Sequence, residues 1–168
     1  LRSVWMQSDT EGWAVGGYAT AQMRNGVWSE VTGNAYRNLY GVYGFAANDV
    51  WAVGASGVVL RFDGITWNNV PSGTNIGLRA VWGASDDDVW MVGEAGIALH
   101  WNGTELKKVT IDTPQTLTAI WGRSADDITV VGGRGVAFHW DGTTWTKLSL
   151  GVAAKNVDFL AIGGPPEG

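Results

Sequence analysis

Apolar residues in this chain occur in short stretches that are separated by turn-forming residues, and no stretch of ten residues follows the period of a helix. The part from residue 78 to residue 116 shows the pattern best, with strand-like stretches at 78–83, 88–93, 97–101 and 106–110. Short stretches rich in β-branched and aromatic residues, bounded by Gly, Asn or Asp, are typical of β-strands. This segment therefore predicts four short strands joined by tight turns.

The four-strand pattern occurs four times along the chain. A Val-Gly pair recurs at spacings of 38, 39 and 39 residues, beginning at Val15, Val53, Val92 and Val131. An aromatic series (Trp5, Tyr43, Trp82, Trp121) and a turn series (Asn25-Gly26, Asp63-Gly64, Asn102-Gly103, Asp141-Gly142) have the same spacings. Three series in one register define repeats of about 39 residues. The predicted repeats are 1–38, 39–77, 78–116 and 117–156, followed by a segment at 157–168.

The repeat length indicates the fold class. One four-stranded meander cannot bury both of its faces, so it needs neighbours, and radial stacking of such sheets gives a β-propeller. A parallel β-helix is disfavoured because its repeats are usually shorter, and a sandwich does not require a 39-residue repeat. The sequence predicts an all-β single domain, a β-propeller or partial propeller of four four-stranded blades. Residues 157–162 match the first strand of a fifth repeat and predict an extra C-terminal strand.

The number of blades in the complete ring has three interpretations. The chain is an excised part of a larger propeller, a four-bladed ring, or one of two chains that assemble into a larger ring. Because Leu1 falls inside the first repeat, we expect a processed or excised segment whose targeting sequence is outside the chain. An open arc would expose apolar blade faces, so a homo-oligomer is one expected outcome.

Composition narrows the possible partners. The net charge of −5 argues against a nucleic-acid ligand. The absence of Cys excludes disulfides, zinc-thiolate sites and cysteine catalysis. No apolar run approaches the roughly 18 residues of a membrane span.

Two strings in the repeats resemble a known family. They are Asp88-Val89-Trp90-Met91-Val92-Gly93 and Asp141-Gly142-Thr143-Thr144-Trp145, and they are similar to bacterial propeller repeats with Asp-box (BNR-like) turns. The resemblance covers nearly the whole chain, but the turns lack the leading Ser-x-Asp, and Leu106 replaces the Trp of the third repeat. It implies that first strands line a central channel, that ligands bind on the face of the loops after the second and fourth strands, and that the protein is extracellular or at the cell surface.

Residues that recur at one repeat position are predicted to be structural. We expect the tryptophans of the second strand (Trp13, Trp51, Trp90) and those after the Gly turn (Trp28, Trp67, Trp145) to pack between blades. Sugar stacking is their alternative role.

The polar residues at recurring positions are also predicted to be structural. We expect the acids before the second strand (Glu11, Asp49, Asp88, Asp127) to bond turn backbone, and Asp63 and Asp141 to brace their hairpins. His100 and His139 share one position with Arg61, which indicates a structural or surface role and no metal site.

Positions where the repeat varies are the candidate binding residues. After the Val-Gly pair the repeats differ at Gly17-Tyr18, Ala55-Ser56, Glu94-Ala95 and Gly133-Arg134, and after the leading Leu they differ at Arg2, Tyr40, Arg79 and Thr118. The resemblance places both sets near the channel mouth. The predicted ligand-binding residues are Arg2, Tyr18, Tyr40, Arg79, Glu94 and Arg134, and ordinary variable loop surface is the alternative.

Three functions are consistent with these patterns. The first is a non-catalytic binding module for a glycan or protein, and the second is an assembly factor or structural spacer without a small ligand. The third is a sialidase-like glycoside hydrolase, for which Arg2, Arg79 and Arg134 would supply the arginines, but no nucleophile pair is recognisable. No Ser-His-Asp set can be assembled either. We predict no enzyme activity, catalytic residue, metal or cofactor.

Overall fold

The structure is a computed structural model that describes residues 1–31, 37–151 and 156–164. Blade 1 consists of β1 (Ser3–Met6), β2 (Gly12–Gly16), β3 (Ala19–Arg24) and β4 (Val27–Glu30). Blade 2 consists of β5 (Leu39–Ala46), β6 (Asp49–Gly54), β7 (Val59–Phe62) and β8 (Trp67–Asn69). Blade 3 consists of β9 (Leu78–Ser85), β10 (Asp88–Gly93), β11 (Ile97–Trp101) and β12 (Leu106–Thr110). Blade 4 consists of β13 (Leu117–Ser124), β14 (Asp127–Gly132), β15 (Ala137–Trp140) and β16 (Trp145–Lys147).

Each blade is a four-stranded antiparallel meander in which the strands follow chain order. The prediction of an all-β fold with four four-stranded blades is confirmed. For residues 78–116 the predicted strands match β9 to β12, except that β9 extends two residues further, to Ser85. The hydrophobic pattern determines these strands because turn-forming residues interrupt it at short, regular intervals.

The second strand of each blade is the most deeply buried. All five residues of β2 are buried, and five of the six residues of β6 and of β10 are buried. A strand inside a sheet that is covered on both faces is apolar at consecutive positions and does not alternate. The fourth strand differs, since every residue of β4 is exposed. The core therefore lies mainly at the first three strands of a blade, and the fourth strand is an exposed edge that contributes single residues such as Trp67 of β8.

The chain divides into two compact units, Leu1–Val81 and Trp82–Gly168, and the division falls within β9. In the first unit β1 and β2 pack against β5, around a core that includes Trp13, Leu39 and Phe62. In the second unit β10 packs against β13.

A tight 3-10 turn connects the second and third strands in blades 2, 3 and 4, at Ala55–Gly57, Glu94–Gly96 and Gly133–Gly135. In the blade 3 turn, Ala95 has a φ of 51° and Gly96 a φ of +70°. A Cβ on Gly96 would lie 2.0 Å from the carbonyl oxygen of Thr113. The third residue of this turn must therefore be Gly, for reasons of both backbone conformation and space.

Residues 157–164, which include the predicted extra strand at 157–162, follow blade 4 and are hydrogen-bonded to it without an assigned strand of their own. The backbone N–H of Phe159 donates to the carbonyl of Gly132, at 3.2 Å. Gly164 lies so close to the Trp121 ring that a Cβ on it would approach within 2.1 Å. Within the described ranges, no helical segment has the length and apolar character needed to cross a membrane.

Candidate functional site

One aromatic contact connects the two blades of the first compact unit. The Trp13 ring of β2 has its centroid 4.6 Å from that of Phe62 and 5.0 Å from that of Trp67, both in blade 2. Trp13 has no exposed surface, and its indole N–H donates to the Ala47 carbonyl at 3.4 Å. The prediction that Trp13 and Trp67 pack between blades is confirmed.

The same contact recurs in the second compact unit. Trp90 of β10 has its ring centroid 5.2 Å from Trp140 and 5.5 Å from Trp145, both in blade 4. Trp90 and Trp51 are both buried, as expected of the second-strand tryptophans. We call this arrangement the indole slot: a second-strand Trp of one blade lies between a third-strand residue and a fourth-strand Trp of the next blade.

Blade 1 departs from this pattern. Trp28 is 42% exposed, whereas Trp67 at the same position of blade 2 is 6% exposed. Among the described residues Trp28 therefore does not pack between blades, contrary to the prediction. Its ring lies on the face of blade 1 opposite to Trp13, beside an open groove of about 340 Å³. The groove is lined by Leu1, Arg2, Ser3, Val4, Ala14 and Trp28.

The acidic residue before the second strand binds a side chain on the third strand in blades 2 and 3. The guanidinium of Arg61 donates to both carboxylate oxygens of Asp49, at 2.8 and 2.9 Å, and lies over the Trp51 ring. This differs from the prediction that Asp49 bonds turn backbone. The reason is the strand register, which pairs Trp51 with Arg61 and brings the Arg side chain within reach of Asp49.

Blade 3 uses a histidine at the corresponding place. His100 Nε2 lies 2.6 Å from the carboxylate of Asp88, and the imidazole stacks on Trp90 with centroids 4.2 Å apart. The Trp90 indole N–H donates to the same carboxylate at 3.1 Å. In blade 1, by contrast, Glu11 accepts from the backbone N–H of Asn25, as predicted for the whole series. A structural role for His100 is confirmed.

The Asp-Gly hairpins are braced as predicted. In blade 4 the Asp141 carboxylate accepts the backbone N–H groups of Thr143 and Thr144, at 2.9 and 2.8 Å. The Thr143 hydroxyl and these N–H groups hold the pKa of Asp141 well below its ordinary value. The Asp63 carboxylate accepts the N–H groups of Thr66 and Ile65, which lower its pKa as well.

Three of the six predicted binding residues meet in the first compact unit. The guanidinium carbon of Arg2 lies 4.8 Å from the centre of the Tyr40 ring, and that of Arg79 lies 4.5 Å from the same ring. Distances below 6 Å allow cation–π attraction. Asn38, which the sequence did not indicate, donates from its amide to the Tyr40 hydroxyl at 3.2 Å. We call Arg2, Tyr40 and Arg79 the Arg–Tyr–Arg cluster.

The fold explains how this cluster forms. Tyr40 and Arg79 are the second residues of β5 and β9, and Arg2 directly precedes β1. The backbone N–H of Arg2 donates to the Val15 carbonyl at 2.7 Å, which keeps Arg2 in line with the strand. The same position in three consecutive repeats therefore supplies all three side chains.

The other predicted binding residues lie in turns between second and third strands. Tyr18 is 66% exposed and belongs to the first unit. Glu94 and Arg134 belong to the second unit, each in the 3-10 turn of its blade. The backbone N–H of Arg134 donates to the Asp158 carboxylate at 2.8 Å, so this turn is hydrogen-bonded to the C-terminal segment. Among the described residues, no group of three His, Cys, Asp or Glu side chains is arranged to hold a metal ion.

Four meandering sheets with one inter-blade contact repeated in both units define a β-propeller repeat protein, present here as a partial propeller. No family model and no curated protein matches the chain. Among solved structures, it is similar to YCF48 bound to D1 peptide, at 19% identity and a TM-score of 0.69. The match covers 90% of this chain and 54% of that one.

Two further propeller structures are similar. YCF48 from Cyanidioschyzon merolae has 17% identity and a TM-score of 0.66, covering 88% of this chain and 55% of that one. An ancestral GH74 enzyme has 12% identity and a TM-score of 0.71, covering 91% of this chain and 26% of that one. The chain thus spans about half the length of the YCF48 chains. At these identities the likeness shows the fold.

Proposed function

We propose that this chain is a non-catalytic binding module whose ligand is an acidic segment of another protein, bound at the Arg–Tyr–Arg cluster. The observation that supports the proposal is the convergence of Arg2 and Arg79 on the Tyr40 ring. The scaffold does not require these side chains, because the fourth repeat has Thr118 at the same position.

The chemistry of the cluster favours a carboxylate ligand. A guanidinium is always charged and presents N–H donors in a plane that matches the two oxygens of a carboxylate. The Arg2 guanidinium beside the Tyr40 ring places an exposed positive charge on a chain whose net charge is −5. The half-buried Tyr40 adds a flat surface and, through its hydroxyl, a further hydrogen-bonding group.

Two observations favour a protein ligand over a glycan. The second-strand tryptophans Trp13, Trp51 and Trp90 are buried, so they are not available to stack on a sugar. One propeller of similar fold is described as bound to a peptide. We transfer from that protein only the ligand class, and the binding site proposed here rests on this chain's own arginines.

We extend the proposal to the setting of the protein, as an Asp-box (BNR-like) module of a secreted or cell-surface bacterial protein. The support is the pair of Asp-Gly turns at Asp63 and Asp141, whose carboxylates accept backbone N–H groups of their own hairpins. Such turns suit a repeated scaffold because they specify the hairpin without help from neighbouring blades.

The proposal is tested with a fluorescein-labelled decapeptide of alternating Glu and Gly with a free carboxyl terminus, by fluorescence anisotropy. Replacing Arg2 by Ala is expected to weaken binding about tenfold or more, because a charge-assisted hydrogen bond is lost. The conservative Tyr40→Phe variant is expected to retain most of the affinity. Arg24→Ala is the matched control. Arg24 is also an exposed arginine of blade 1, but it lies at the last residue of β3, whereas Arg2 lies near the first residues of that strand.

Two outcomes would contradict the proposal. One is binding that is equally strong for the Arg2→Ala and Arg24→Ala variants, which would indicate general charge attraction. The other is the absence of peptide binding together with a specific hit on a glycan array, which would assign the module to carbohydrate. Circular dichroism of each variant shows whether the fold is retained.

A further inference from the structure

The face of blade 1 that carries Trp28 is apolar and open, and we call it the outer face of blade 1. Its residues include Val4, Met6, Ala14 and Trp28, of which Val4 is 59% exposed and Met6 is 41% exposed. A surface of this kind on a folded protein usually marks an interface.

The equivalent face of blade 2 is covered by a neighbouring blade. Val42 and Ala52 pair across β5 and β6 as Val4 and Ala14 pair across β1 and β2. Val42 is only 6% exposed, because Trp13 of the preceding blade covers this side of blade 2. The equivalent residue Val4 is about ten times more exposed. The two valines differ in exposure because blade 2 has a neighbouring blade on this side, whereas the strand register is the same in both blades.

The indole slot is also present in blade 1. Met23 pairs with Trp28 across β3 and β4, just as Phe62 pairs with Trp67 across β7 and β8. In blade 2 the latter pair holds the Trp13 ring. Met is a flexible side chain that packs well against an aromatic ring. Met23 and Trp28 therefore form a slot of the same kind that contains no indole from the described residues.

Blade 4 of a second copy does not supply the missing indole. The second-strand position that holds Trp13, Trp51 and Trp90 is occupied by Thr129 in blade 4. In addition, the segment at 157–164 already covers Trp121 of blade 4 through Gly164. Trp13 and Trp90 already occupy the slots of the blades that follow them, and Trp51 is buried. A head-to-tail contact between two copies would leave the blade 1 slot without its aromatic ring.

We propose that the outer face of blade 1 is the docking surface for a further propeller blade, supplied by sequence other than these 168 residues, that inserts a second-strand Trp between Met23 and Trp28. The inference is independent of the proposed ligand. It has one consequence for the Arg–Tyr–Arg cluster, since the groove beneath the docked blade is lined in part by Arg2. The second residue of the docked first strand would then lie next to Arg2, as Tyr40 does on the other side.

The test uses the lack of cysteine in the chain, which makes an introduced thiol unique. A Val4→Cys variant is prepared in two forms, and both are labelled with a maleimide. The first form is the chain itself, and the second has a copy of residues 78–116 joined before Leu1. The junction repeats the natural one between Thr116 and Leu117. The added repeat contributes Trp90, and it is expected to slow labelling of the thiol about tenfold or more. An Ile65→Cys variant, at a position that is 91% exposed, is expected to react at the same rate in both forms.

The matched control is the same added repeat with Trp90→Thr, which reproduces the residue found in blade 4 and is expected to protect the thiol far less. A copy of residues 39–77, which contributes Trp51, is the second extension in case the first does not fold. Lack of protection by a folded extension, or equal protection by the Trp and Thr forms, would overturn the proposal. Protection of the unextended chain that increases with protein concentration would also overturn it and would identify a second copy as the occupant.

Discussion

Trp13 meets Trp67 edge to face, with ring centroids 5.0 Å apart and ring planes at 83°. This geometry places the positive edge of one indole against the negative face of the other, which is a favoured arrangement of aromatic pairs. The two residues are far apart in the sequence and belong to different blades. Their contact therefore shows how blade 1 packs against blade 2.

The first prediction concerns this contact. Replacing Trp13 by Ala is expected to lower the free energy of unfolding by about 3–5 kcal/mol, because it empties a fully buried site at the blade interface. Urea denaturation followed by circular dichroism measures the change. The matched control is Trp28→Ala, a substitution of the same type at an open site, which is expected to cost about 1 kcal/mol or less. Equal losses for the two variants would contradict the assignment of Trp13 to an indole slot.

The second prediction concerns a close contact between β1 and β5. A Cβ on Gly44 would lie 2.7 Å from the Trp5 ring, so Gly44→Ala is expected to destabilise the protein by about 1–3 kcal/mol. In a Trp5→Ala background the added methyl group has space, and the cost of Gly44→Ala is expected to be smaller. Denaturation of the four members of this double-mutant cycle gives the coupling between the two sites.

Gly163→Ala is the control for this cycle, because nothing lies within 4 Å of the position of its Cβ. That substitution is expected to change stability by less than about 0.5 kcal/mol. If Gly44→Ala costs the same with and without Trp5, the glycine is required for a reason other than the ring.

The third prediction is a pH dependence at the Asp141 hairpin. Because hydrogen bonds lower the pKa of Asp141 in the folded chain, its carboxylate stabilises the fold at pH values above the ordinary value of 3.8. This contribution is lost as the pH falls from 3.8 through the lower folded pKa. The melting temperature of the Asp141→Ala variant is therefore expected to lie below that of the native chain by a constant amount between about pH 5 and 8. Below pH 3.8 the difference is expected to narrow.

Differential scanning calorimetry over this pH range provides the measurement. A difference in melting temperature that stays constant down to about pH 2, or that grows on acidification, would show that the charged form is not the stabilising one. The same experiment on Asp63→Ala tests the second Asp-Gly hairpin, where the pKa is also lowered.

The sequence predicted the strands well because the repeat supplies each pattern four times. In residues 78–116 the second, third and fourth strands have the predicted bounds. The packing of Trp13 and Trp90 was also predictable, since a residue that recurs at one position in three of the four repeats serves the scaffold. Likewise, Arg2, Tyr40 and Arg79 were candidates because they break the repeat, and the structure brings them together.

The partners of the acidic residues were not predicted. Asp88 and His100 lie on neighbouring strands whose register pairs Trp90 with His100, and the repeat pattern alone does not show this cross-strand contact. The sequence does contain the information needed to predict this pair. If residues are paired outward from the turn between β10 and β11, His100 falls opposite Trp90. The cross-strand pair, and with it the contact to Asp88, follows from that register.

The amino-acid sequence by itself determined the local structure of this protein, namely the strands, the turns and the positions that the repeats share. These features depend on side-chain pattern and backbone preference over a few residues, and each repeat contains that information in full. Only the tertiary structure decided which equivalent residues are buried and which meet across blades. Trp28 and Trp67 occupy the same place in their repeats, yet one is exposed and the other is buried, because burial depends on the neighbouring blade and not on the residue.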